Sequence, residues 1–486
     1  MRAVLVNPTI DRDLELWHLG TAAVASVVNA VGRHQAEVID FTFRWDGWED
    51  YLRDRLLAFR PQVMGISTVT PRMPSVIRIA RAAKRVLPDL KIVLGGHHAS
   101  LDTRACAELP EVDLVAVGEG EHTFHAVLDA WEDGKDLHDI PGLAWSEGDT
   151  VVDTGLAPLP RGPLLDEQPY NDWRLWEQHG RMIFHAGHVP MIGVRGCPYT
   201  CSFCSSPVLA KRLEGSGPFV RKRDAARVAE EGAWQWERHR RDGLRYLNFY
   251  DQNFLMHRGW LERFVQTWKS LGMAGKVALS VYSRVDHLTE DRLALAREAG
   301  VTQLRLGIEA GDPYVRNILL NKELDQDELR RKLELVRRSG IKTLGYFLIG
   351  TPGETPAQAD ASWRLAREAK LDRAAFFFFT PLHDLAVLRE SGMKVDYLQR
   401  EQSATFYQGG ELTEEASGLS RVRLKYQFYR ANGYFLAKTV VRQARRLGPR
   451  WVAGLPAYLR AAQADGMDAK LALSQYVYYH QDAFFT

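Results

Sequence analysis

The chain contains very little cysteine, with four residues among 486. A chain of this length buries a sizeable hydrophobic core without disulfides, so a small disulfide-stapled scaffold is excluded. No apolar run approaches the length of a membrane span, and the opening MRAVLVNP indicates a short strand and turn, not a signal peptide. Together these absences predict a reducing, cytoplasmic location.

An excess of charge of one sign is also missing, because 63 Lys and Arg face 61 Asp and Glu, for a formal net charge of +2. Such a balance gives no whole-chain attraction to nucleic acid. The exception is the stretch 421–460, which contains ten Lys or Arg and no Asp or Glu. A solvated basic face is the ordinary interpretation, and a surface for an anionic substrate, an acidic electron donor or a membrane is the alternative.

The few cysteines that the chain does have are concentrated in one motif. Cys197, Cys201 and Cys204 form CxxxCxxC directly after the apolar run 190–194. Three thiolates this close can hold three corners of one metal centre and leave the fourth open for chemistry. Structural zinc usually needs a second pair of ligands, and the remaining cysteine, Cys106, is isolated. The spacing, and Phe203 before the last cysteine, therefore favour an iron–sulfur cluster.

This segment resembles the CxxxCxΦC signature of the radical SAM superfamily. The resemblance implies a 4Fe–4S cluster on the three cysteines, with S-adenosylmethionine (SAM) chelating the fourth iron. It also implies that one-electron reduction, by a donor such as flavodoxin or ferredoxin, cleaves SAM to a 5′-deoxyadenosyl radical. Phe203 would then lie near the adenine.

Residues 1–130 alternate short apolar runs with helical patterns, as in a doubly wound, Rossmann-like parallel sheet. In such sheets ligands bind beyond the carboxyl ends of the strands, where glycines let a flat ligand approach the backbone. Each glycine taken alone is equally compatible with a simple turn. The predicted strands are 3–6, 36–40, 63–67, 92–94 and 114–117, and the predicted helices include 19–31 and 45–59.

The Asn-Pro turn after the first strand, Gly-Gly-His after the fourth and Gly-Glu-Gly-Glu after the fifth resemble the N-terminal domain of cobalamin-dependent radical SAM enzymes. The resemblance covers about residues 1–385 and implies that cobalamin, as methylcobalamin, binds against this sheet. A vestigial domain of the same fold is the alternative. The residues expected at cobalamin are Asn7, Ser67, Thr68, Thr70, Pro71, Arg72, Gly95, Gly96, His97, Gly118, Glu119, Gly120 and Glu121.

One segment departs from cobalamin domains of the methionine-synthase type, in which the histidine of DxHxxG ligates cobalt from below. Around His18, Leu16 stands where the aspartate should be and Thr21 where the glycine should be. His18 is therefore expected to cap or pack, and His97 and His98 to bond to backbone in a loop. Resemblance to relatives without the motif implies that the loop 68–73 covers the lower face of cobalt.

A linker at 131–185, containing a small hairpin around 147–149, precedes a radical SAM domain at 186–385. Six strands alternate with helices in this second domain, which predicts a partial (β/α)6 version of the TIM barrel with its active site at the strand carboxyl ends. The predicted strands are 191–194, 245–250, 277–281, 303–308, 343–349 and 374–379.

Polar or glycine-rich motifs follow these strands: YDQNF at 250–254, SR at 283–284, GIEAG at 307–311 and GTPGET at 350–355. In this order they resemble the SAM-binding segments of the family, and an arginine fork suits the carboxylate of the ligand. Each motif alone is compatible with a surface turn. The residues expected at SAM are Phe203, Tyr250, Asp251, Gln252, Ser283, Arg284, Glu309, Gly350 and Pro352.

The sixth strand is followed by TPLHD instead of the family's TPYPGT. For the four phenylalanines at 376–379, a buried strand is favoured over a substrate wall, and His383 and Asp384 are candidates for substrate contact. Residues 386–486 are predicted to form a mostly helical domain. Its aromatic side chains are expected to close the barrel mouth; they are Tyr426, Phe428, Tyr429, Tyr434, Phe435, Tyr458, Tyr476, Tyr478 and Tyr479.

Three functions follow from these residues and the resemblance. The first is a cobalamin-dependent radical SAM methyltransferase that methylates an unactivated carbon of a small molecule, such as a natural product or a lipid-like compound. The second uses the same cofactors for cyclisation, ring contraction or oxidation without net methyl transfer. The third, a non-catalytic iron–sulfur or cobalamin carrier, is disfavoured by the full set of SAM motifs. A monomer without a nucleic-acid partner is expected, and contact with a membrane surface stays open.

Overall fold

The computed structural model describes residues 1–10, 17–393 and 411–467, together with positions 469, 472, 473 and 476. Leu16, Tyr478 and Tyr479, which enter the predictions above, lie outside the described residues. Within the described part of the chain, no helix is long and apolar enough to cross a membrane.

A seven-stranded sheet forms the N-terminal part of the molecule. Its strands are β1 (Arg2–Asn7), β2 (Gln35–Asp40), β3 (Val63–Thr68), β4 (Lys91–Gly96), β5 (Leu114–Ala116), β6 (Leu143–Glu147) and β7 (Thr150–Asp153). They follow the order β2-β1-β3-β4-β5-β6-β7, and the first five are parallel. The predicted doubly wound architecture is therefore confirmed.

The hairpin that the sequence places in the linker belongs to this sheet. Strand β6 pairs antiparallel with β5, and β7 pairs with β6. Without the hairpin, β5 would be an exposed edge with unpaired backbone groups. The edge pairing explains why a segment with a hairpin pattern joins the sheet instead of standing free.

The helices of this part of the chain cover both faces of the sheet. They are α1 (Leu19–Val31), α2 (Trp48–Phe59), α3 (Met73–Val86), α4 (His97–Leu101), α5 (Thr103–Ala107), α6 (Gly120–Asp133), α7 (Pro163–Asp166) and α8 (His179–Ala186). The expected loop at 68–73 is shorter than predicted, because a 3₁₀ turn at Thr70–Arg72 leads directly into α3. The prediction of a loop at His97 and His98 was wrong, since both residues open α4.

Six parallel strands form the predicted partial barrel, in the order β15-β14-β13-β12-β11-β8. The strands of the second half are β8 (His188–Met191), β9 (Val194–Arg195), β10 (Arg221–Lys222), β11 (Tyr246–Phe249), β12 (Ala278–Arg284), β13 (Val301–Glu309), β14 (Lys342–Ile349) and β15 (Arg373–Phe378). The first barrel strand ends three residues earlier than predicted. There the Asp251 carboxylate accepts hydrogen bonds from the backbone N–H groups of Gly193 and Val194, so these groups are not available to the sheet.

The two faces of the barrel strands differ in character. On β15, Phe376 and Phe378 belong to the hydrophobic core between the strands and the surrounding helices. Phe377, on the other face of the strand, packs on Tyr346 inside the barrel, with ring centroids 5.5 Å apart. The favoured interpretation of the four phenylalanines as a buried strand is confirmed for Phe376, Phe378 and Phe379, which are at most 3% exposed.

The remaining helices surround the barrel. They are α9 (Ser205–Arg212), α10 (Ala225–His239), α11 (Arg258–Ser270), α12 (Glu290–Ala299), α13 (Gln326–Ser339), α14 (Pro356–Glu368), α15 (Ala386–Ser391), α16 (Glu411–Ser417), α17 (Arg421–Leu447) and α18 (Pro449–Ala464). A π-helical turn, Val315–Leu319, follows β13.

Among the described residues of the tail, the aromatic side chains of α17 pack on the outside of the barrel and not over its mouth. On α17, Phe428 stacks on Phe378 at the outer face of β15, with ring centroids 4.6 Å apart. The Asn432 side chain accepts a hydrogen bond from the Phe376 N–H and donates one to the Phe376 carbonyl. It thereby pairs the backbone groups of this residue on the edge strand of the sheet. The tail reaches the mouth through α16, where Ala416 packs in the cluster that contains Phe203 and Phe379.

Candidate active site

The three cysteines lie on a loop between β9 and α9. Gly196, which opens this loop, has φ +83°, and a Cβ there would collide with the backbone carbonyl of Phe219. Only glycine fits this turn without strain. At the other end of the loop, the Cys204 sulfur accepts a hydrogen bond from the Ser206 N–H, 3.4 Å away, at the start of α9.

The loop is fastened to the segment that follows β13. The Ser202 N–H donates to the Leu320 carbonyl over 3.1 Å, and the Asn321 side-chain amide donates to the Thr200 carbonyl over 3.1 Å. Cys201 is buried, and Cys197 and Cys204 are half-buried. The residues on both sides of Cys201 are therefore anchored, and Cys201 is the most buried of the three cysteines.

Two cations accompany the sulfurs. Burial raises the pKa of Cys201, and Lys322 and Arg284 act in the opposite direction. Arg284 also donates to the Cys201 sulfur over 3.4 Å, and its guanidinium lies 3.6 Å from the Tyr199 ring centroid. Because a metal site needs thiolates, these cations favour the ionised state that ligation requires.

The donor set of the cysteine loop fits an iron–sulfur cubane. Four ligands at the zinc–sulfur distance of about 2.3 Å would lie roughly 3.8 Å apart. Among the described residues, the group whose ligand atoms lie within 4.8 Å of one another is His34, His125 and Asp129, far from the loop in sequence. The cysteine loop instead offers three thiols without a disulfide, the ligand set of an iron–sulfur cubane with one open corner.

The predicted SAM residues Phe203, Arg284 and Glu309 come together beside the cysteines. Lys322 Nζ lies 2.9 Å from Glu309 Oε1 and 5.8 Å from the Phe203 ring centroid. At Gly307 a Cβ would collide with the Glu309 carboxylate. This glycine therefore permits the Glu309–Lys322 pair at the barrel mouth.

Sequence reasoning missed Lys322 and Tyr199. Neither lies in a strand-end motif, and Lys322 belongs to the irregular segment after the π-helical turn. The available signal was Glu309 itself, because a buried carboxylate requires a partner. Tyr199 lies between the first two cysteines, and its hydroxyl is 2.6 Å from the His287 ring.

Three other predicted SAM residues, Tyr250, Asp251 and Ser283, have protein partners. Asp251 binds the backbone before the cysteine loop, and burial raises its pKa to about 7. Ser283 donates to the Asn253 side chain over 3.1 Å, and Tyr250 packs against Tyr282. Gln252 is exposed.

The loop after β14 carries the last two predicted SAM positions. The Gly350 N–H donates to Glu354 over 2.8 Å, and Pro352 is buried beside it. Burial raises the pKa of Glu354 to about 7. The loop is therefore held by a carboxylate from its own sequence motif.

The carboxyl ends of β3 and β4 bring together many of the predicted cobalamin residues. Gly96 has φ +98°, and a Cβ there would lie 2.8 Å from the Thr68 carbonyl. The Thr68 hydroxyl donates to the Gly95 carbonyl over 2.8 Å, and Thr70 contacts His98 at 3.0 Å. Glycine at 96 is therefore required by the close approach of β4 to β3, at the strand ends where ligands bind in such sheets.

His18 behaves as expected for a capping residue. Its Nδ1 accepts from the Thr21 N–H over 3.2 Å, and its Nε2 lies 3.2 Å from the Ser67 hydroxyl. Burial, with His97 and Arg72 nearby, lowers the pKa of His18 to about 4. Both ring nitrogens are engaged by protein groups, which argues against His18 as a cobalt ligand.

Other predicted cobalamin residues have protein partners. The Asn7 amide donates to Asp40 over 2.7 Å, Arg72 contacts the Pro8 carbonyl, and the Gly118 N–H donates to Ser100 over 2.9 Å. Pro71 lies in the 3₁₀ turn and Gly120 begins α6.

Glu119 and Glu121 form ion pairs with arginines of the second half of the chain. Glu119 binds Arg195 at 2.7 Å and Arg221 at 2.6 Å, and Glu121 binds Arg195 at 2.8 Å. Although burial alone raises the pKa of Glu119, the two guanidiniums hold it below its ordinary value. Both carboxylates thus contact the strand pair that leads to the cysteine loop.

The two candidate cofactor sites, at the carboxyl ends of β3 to β5 and at the cysteine loop, lie next to each other. Helix α4, at the end of β4, packs on α9, at the end of the cysteine loop. A Cβ at Gly118 would lie 3.5 Å from Leu213, and His383 lies 3.4 Å from Asp102. His383, predicted as a substrate contact, therefore lies at this junction.

Comparison with known protein families agrees with this arrangement. The B12 binding domain family matches residues 10–128, and the Radical SAM superfamily matches residues 191–366. The matches include the strand end at Gly96 and the three cysteines. The chain thus combines a B12 binding domain with a radical SAM domain, the domain pair of cobalamin-dependent radical SAM enzymes. Its cofactors are a 4Fe–4S cluster, SAM and cobalamin.

Proteins similar to this chain are of two kinds, methyltransferases and a cyclase. An uncharacterized methyltransferase of Pyrococcus horikoshii is 27% identical over 369 residues, which cover 75% of this chain and 76% of that one. Anaerobic magnesium-protoporphyrin IX monomethyl ester cyclase of Rubrivivax gelatinosus is 26% identical over 401 residues, covering 80% and 69%. The radical SAM methyltransferase TsrM of Kitasatospora setae, solved with cobalamin and a [4Fe-4S] cluster, shares the fold, with TM-score 0.65, 20% identity and coverage of 79% and 73%.

Proposed function

We propose that this enzyme is a methyltransferase that methylates an unactivated carbon of a small molecule. The observation that carries the proposal is the contact between the two candidate cofactor sites. Helix α4 packs on α9, and Gly118 lies beside Leu213. A methyl group passes to a carbon only at contact distance, so the two sites must share one cavity.

When bound, the cluster with SAM supplies a hydrogen-abstracting radical, and cobalamin supplies a methyl group. Cys197, Cys201 and Cys204 would hold the cluster. Arg284 has a guanidinium at the cysteine loop that suits the carboxylate of SAM. Glu309, fixed by Lys322, presents a carboxylate at the same mouth for the ligand's polar groups.

The barrel interior supports an organic substrate with an apolar face. Tyr282 stacks on Tyr346 with ring centroids 5.9 Å apart, and Phe377 continues this row. Arg305 lies beneath the row and donates to the Tyr282 hydroxyl over 3.1 Å. An aromatic wall of this kind orients a substrate by contact and excludes water from a radical.

A second candidate is a cobalamin-dependent radical reaction without net methyl transfer, such as ring formation. The resemblance to the Rubrivivax gelatinosus cyclase supports it, since that relative aligns over 80% of this chain. Both candidates use the same cofactors, so the products distinguish them.

The proposal is tested first without substrate. The anaerobic holoenzyme, reduced to cob(I)alamin, is given SAM with a trideuterated methyl group, and the cobalamin is extracted for mass spectrometry. A methyltransferase gives trideuterated methylcobalamin and an equal amount of S-adenosylhomocysteine. The variant with alanine at all three cysteines should still do so while forming no 5′-deoxyadenosine. Unlabelled cobalamin in the wild-type enzyme would favour the second candidate.

Two further properties stay predictions. An external one-electron donor, such as flavodoxin or ferredoxin, is expected because the cluster must be reduced. A monomer is expected in solution, and light scattering of the holoenzyme measures its mass.

A further inference from the structure

The short strand pair β9–β10 contains an unfavourable arrangement of charge. Arg195 on β9 pairs directly with Arg221 on β10. Like charges directly opposite each other destabilise a strand pair. Arg221 is 5% exposed, so solvent screens this repulsion poorly.

The cobalamin domain supplies the missing anions. Glu119, at the end of β5, binds Arg221 through both carboxylate oxygens, at 2.6 and 3.0 Å, and binds Arg195 at 2.7 Å. Glu121 adds a second contact to Arg195 at 2.8 Å. The Arg221 guanidinium also donates to the Pro160 carbonyl, so its position is fixed from a third direction.

Arg195 is joined to the cluster loop by a single residue. That residue is Gly196, whose turn is enclosed by the Phe219 backbone just before β10. A displacement of Arg195 therefore moves Cys197 directly. The charges that hold Arg195 come from the domain that binds cobalamin.

We propose that Glu119 is an interdomain positioning residue, which bridges Arg195 and Arg221 and thereby fixes the distance between cobalamin and the iron–sulfur cluster. Glu121 assists Glu119 through its own ion pair with Arg195. The strand pair that carries the cluster loop is stable only when the Gly-Glu-Gly-Glu segment is docked on it. The inference depends on the two cofactors and not on methyl transfer.

The test measures the distance between the two cofactors in the holoenzyme by pulsed EPR, with the cluster reduced to its paramagnetic state and cobalamin as cob(II)alamin. The wild-type enzyme should give one narrow distance. Glu119→Gln should lose it and give a broad distribution, because two cations then face each other without a full counter-charge. Arg221→Lys, which keeps the charge and loses the two-pronged contact, should broaden it less.

The matched control is Glu231→Gln. Glu231 forms an equally short buried pair with Arg223, at 2.6 Å, within the radical SAM part of the chain. This variant should keep the narrow distance. A wild-type distribution in both Glu119→Gln and Arg221→Lys would overturn the proposal, and if Glu119→Gln does not fold, Arg221→Lys decides. Equal broadening in Glu231→Gln would also overturn it, because the effect would then be a general loss of stability.

Discussion

Lys322 Nζ lies 2.9 Å from Glu309 Oε1, and both side chains are at most 11% exposed. Glu309 ends a barrel strand with φ 68°, while Lys322 follows the π-helical turn that fastens the cysteine loop. The pair therefore joins the predicted SAM site to the support of the cluster. Lys322 also opposes the burial that raises the pKa of Cys201.

Lys322→Met should destabilise the protein strongly, because Glu309 would keep a buried charge without a partner. Removing one member of a buried pair costs about 3–5 kcal/mol. The double variant Lys322→Met/Glu309→Gln should recover most of this loss. Urea unfolding of the cofactor-free proteins measures both effects, and equal stabilities of the single and double variants would contradict the account.

Gly196→Ala should abolish cluster binding. The residue has φ +83°, and the new Cβ would collide with the Phe219 carbonyl. The matched control is Gly215→Ala, at φ +94° with nothing within 4 Å of the added Cβ. The control should lose only about 1 kcal/mol and keep its iron. Iron analysis after anaerobic reconstitution gives the comparison, and a full iron content in Gly196→Ala would refute the role of this turn.

Asp251 should make stability depend on pH. Burial raises its folded pKa to about 7, whereas the unfolded carboxyl titrates near 4. Between these values the folded protein binds the extra proton, so its stability falls as pH rises toward 7. Asp251→Asn lacks this titration. The unfolding free energy of the wild type, relative to that of the variant, should therefore fall between pH 5 and pH 7 and level off above pH 7. If the unfolding free energies of wild type and variant follow parallel curves between pH 5 and pH 7, Asp251 is ionised in the folded protein and the prediction is wrong.

His18→Ala should leave the EPR spectrum of bound cob(II)alamin unchanged. Both nitrogens of His18 already face protein groups, at Thr21 and Ser67. We expect base-off cobalamin without nitrogen hyperfine splitting from a protein histidine. Splitting that is present in the wild type and disappears in the variant would identify His18 as a cobalt ligand.

The architecture could be predicted because it depends on local patterns. Short apolar runs placed β3 and β4 within a few residues, and the cysteine spacing indicated the cluster. The partners of those motifs could not be predicted, since Lys322 belongs to an irregular segment and Arg221 to a two-residue strand, neither of which has a periodic signal. Asp251 and Glu119 show the same limit: their motifs suggested cofactor contact, but buried backbone N–H groups and guanidiniums needed their carboxylates. The role of the aromatic tail depended on which edge of the barrel was left free.

The most direct test of the central claim is the fate of the SAM methyl group during turnover. Candidate substrates are the small molecules made by the enzymes that neighbouring genes encode. The enzyme is supplied with a one-electron donor and with SAM that has a trideuterated methyl group. The account predicts 5′-deoxyadenosine, S-adenosylhomocysteine and a product heavier by one trideuterated methyl group, in comparable amounts. Turnover that forms 5′-deoxyadenosine and a changed substrate, with neither S-adenosylhomocysteine nor label in the product, would contradict it.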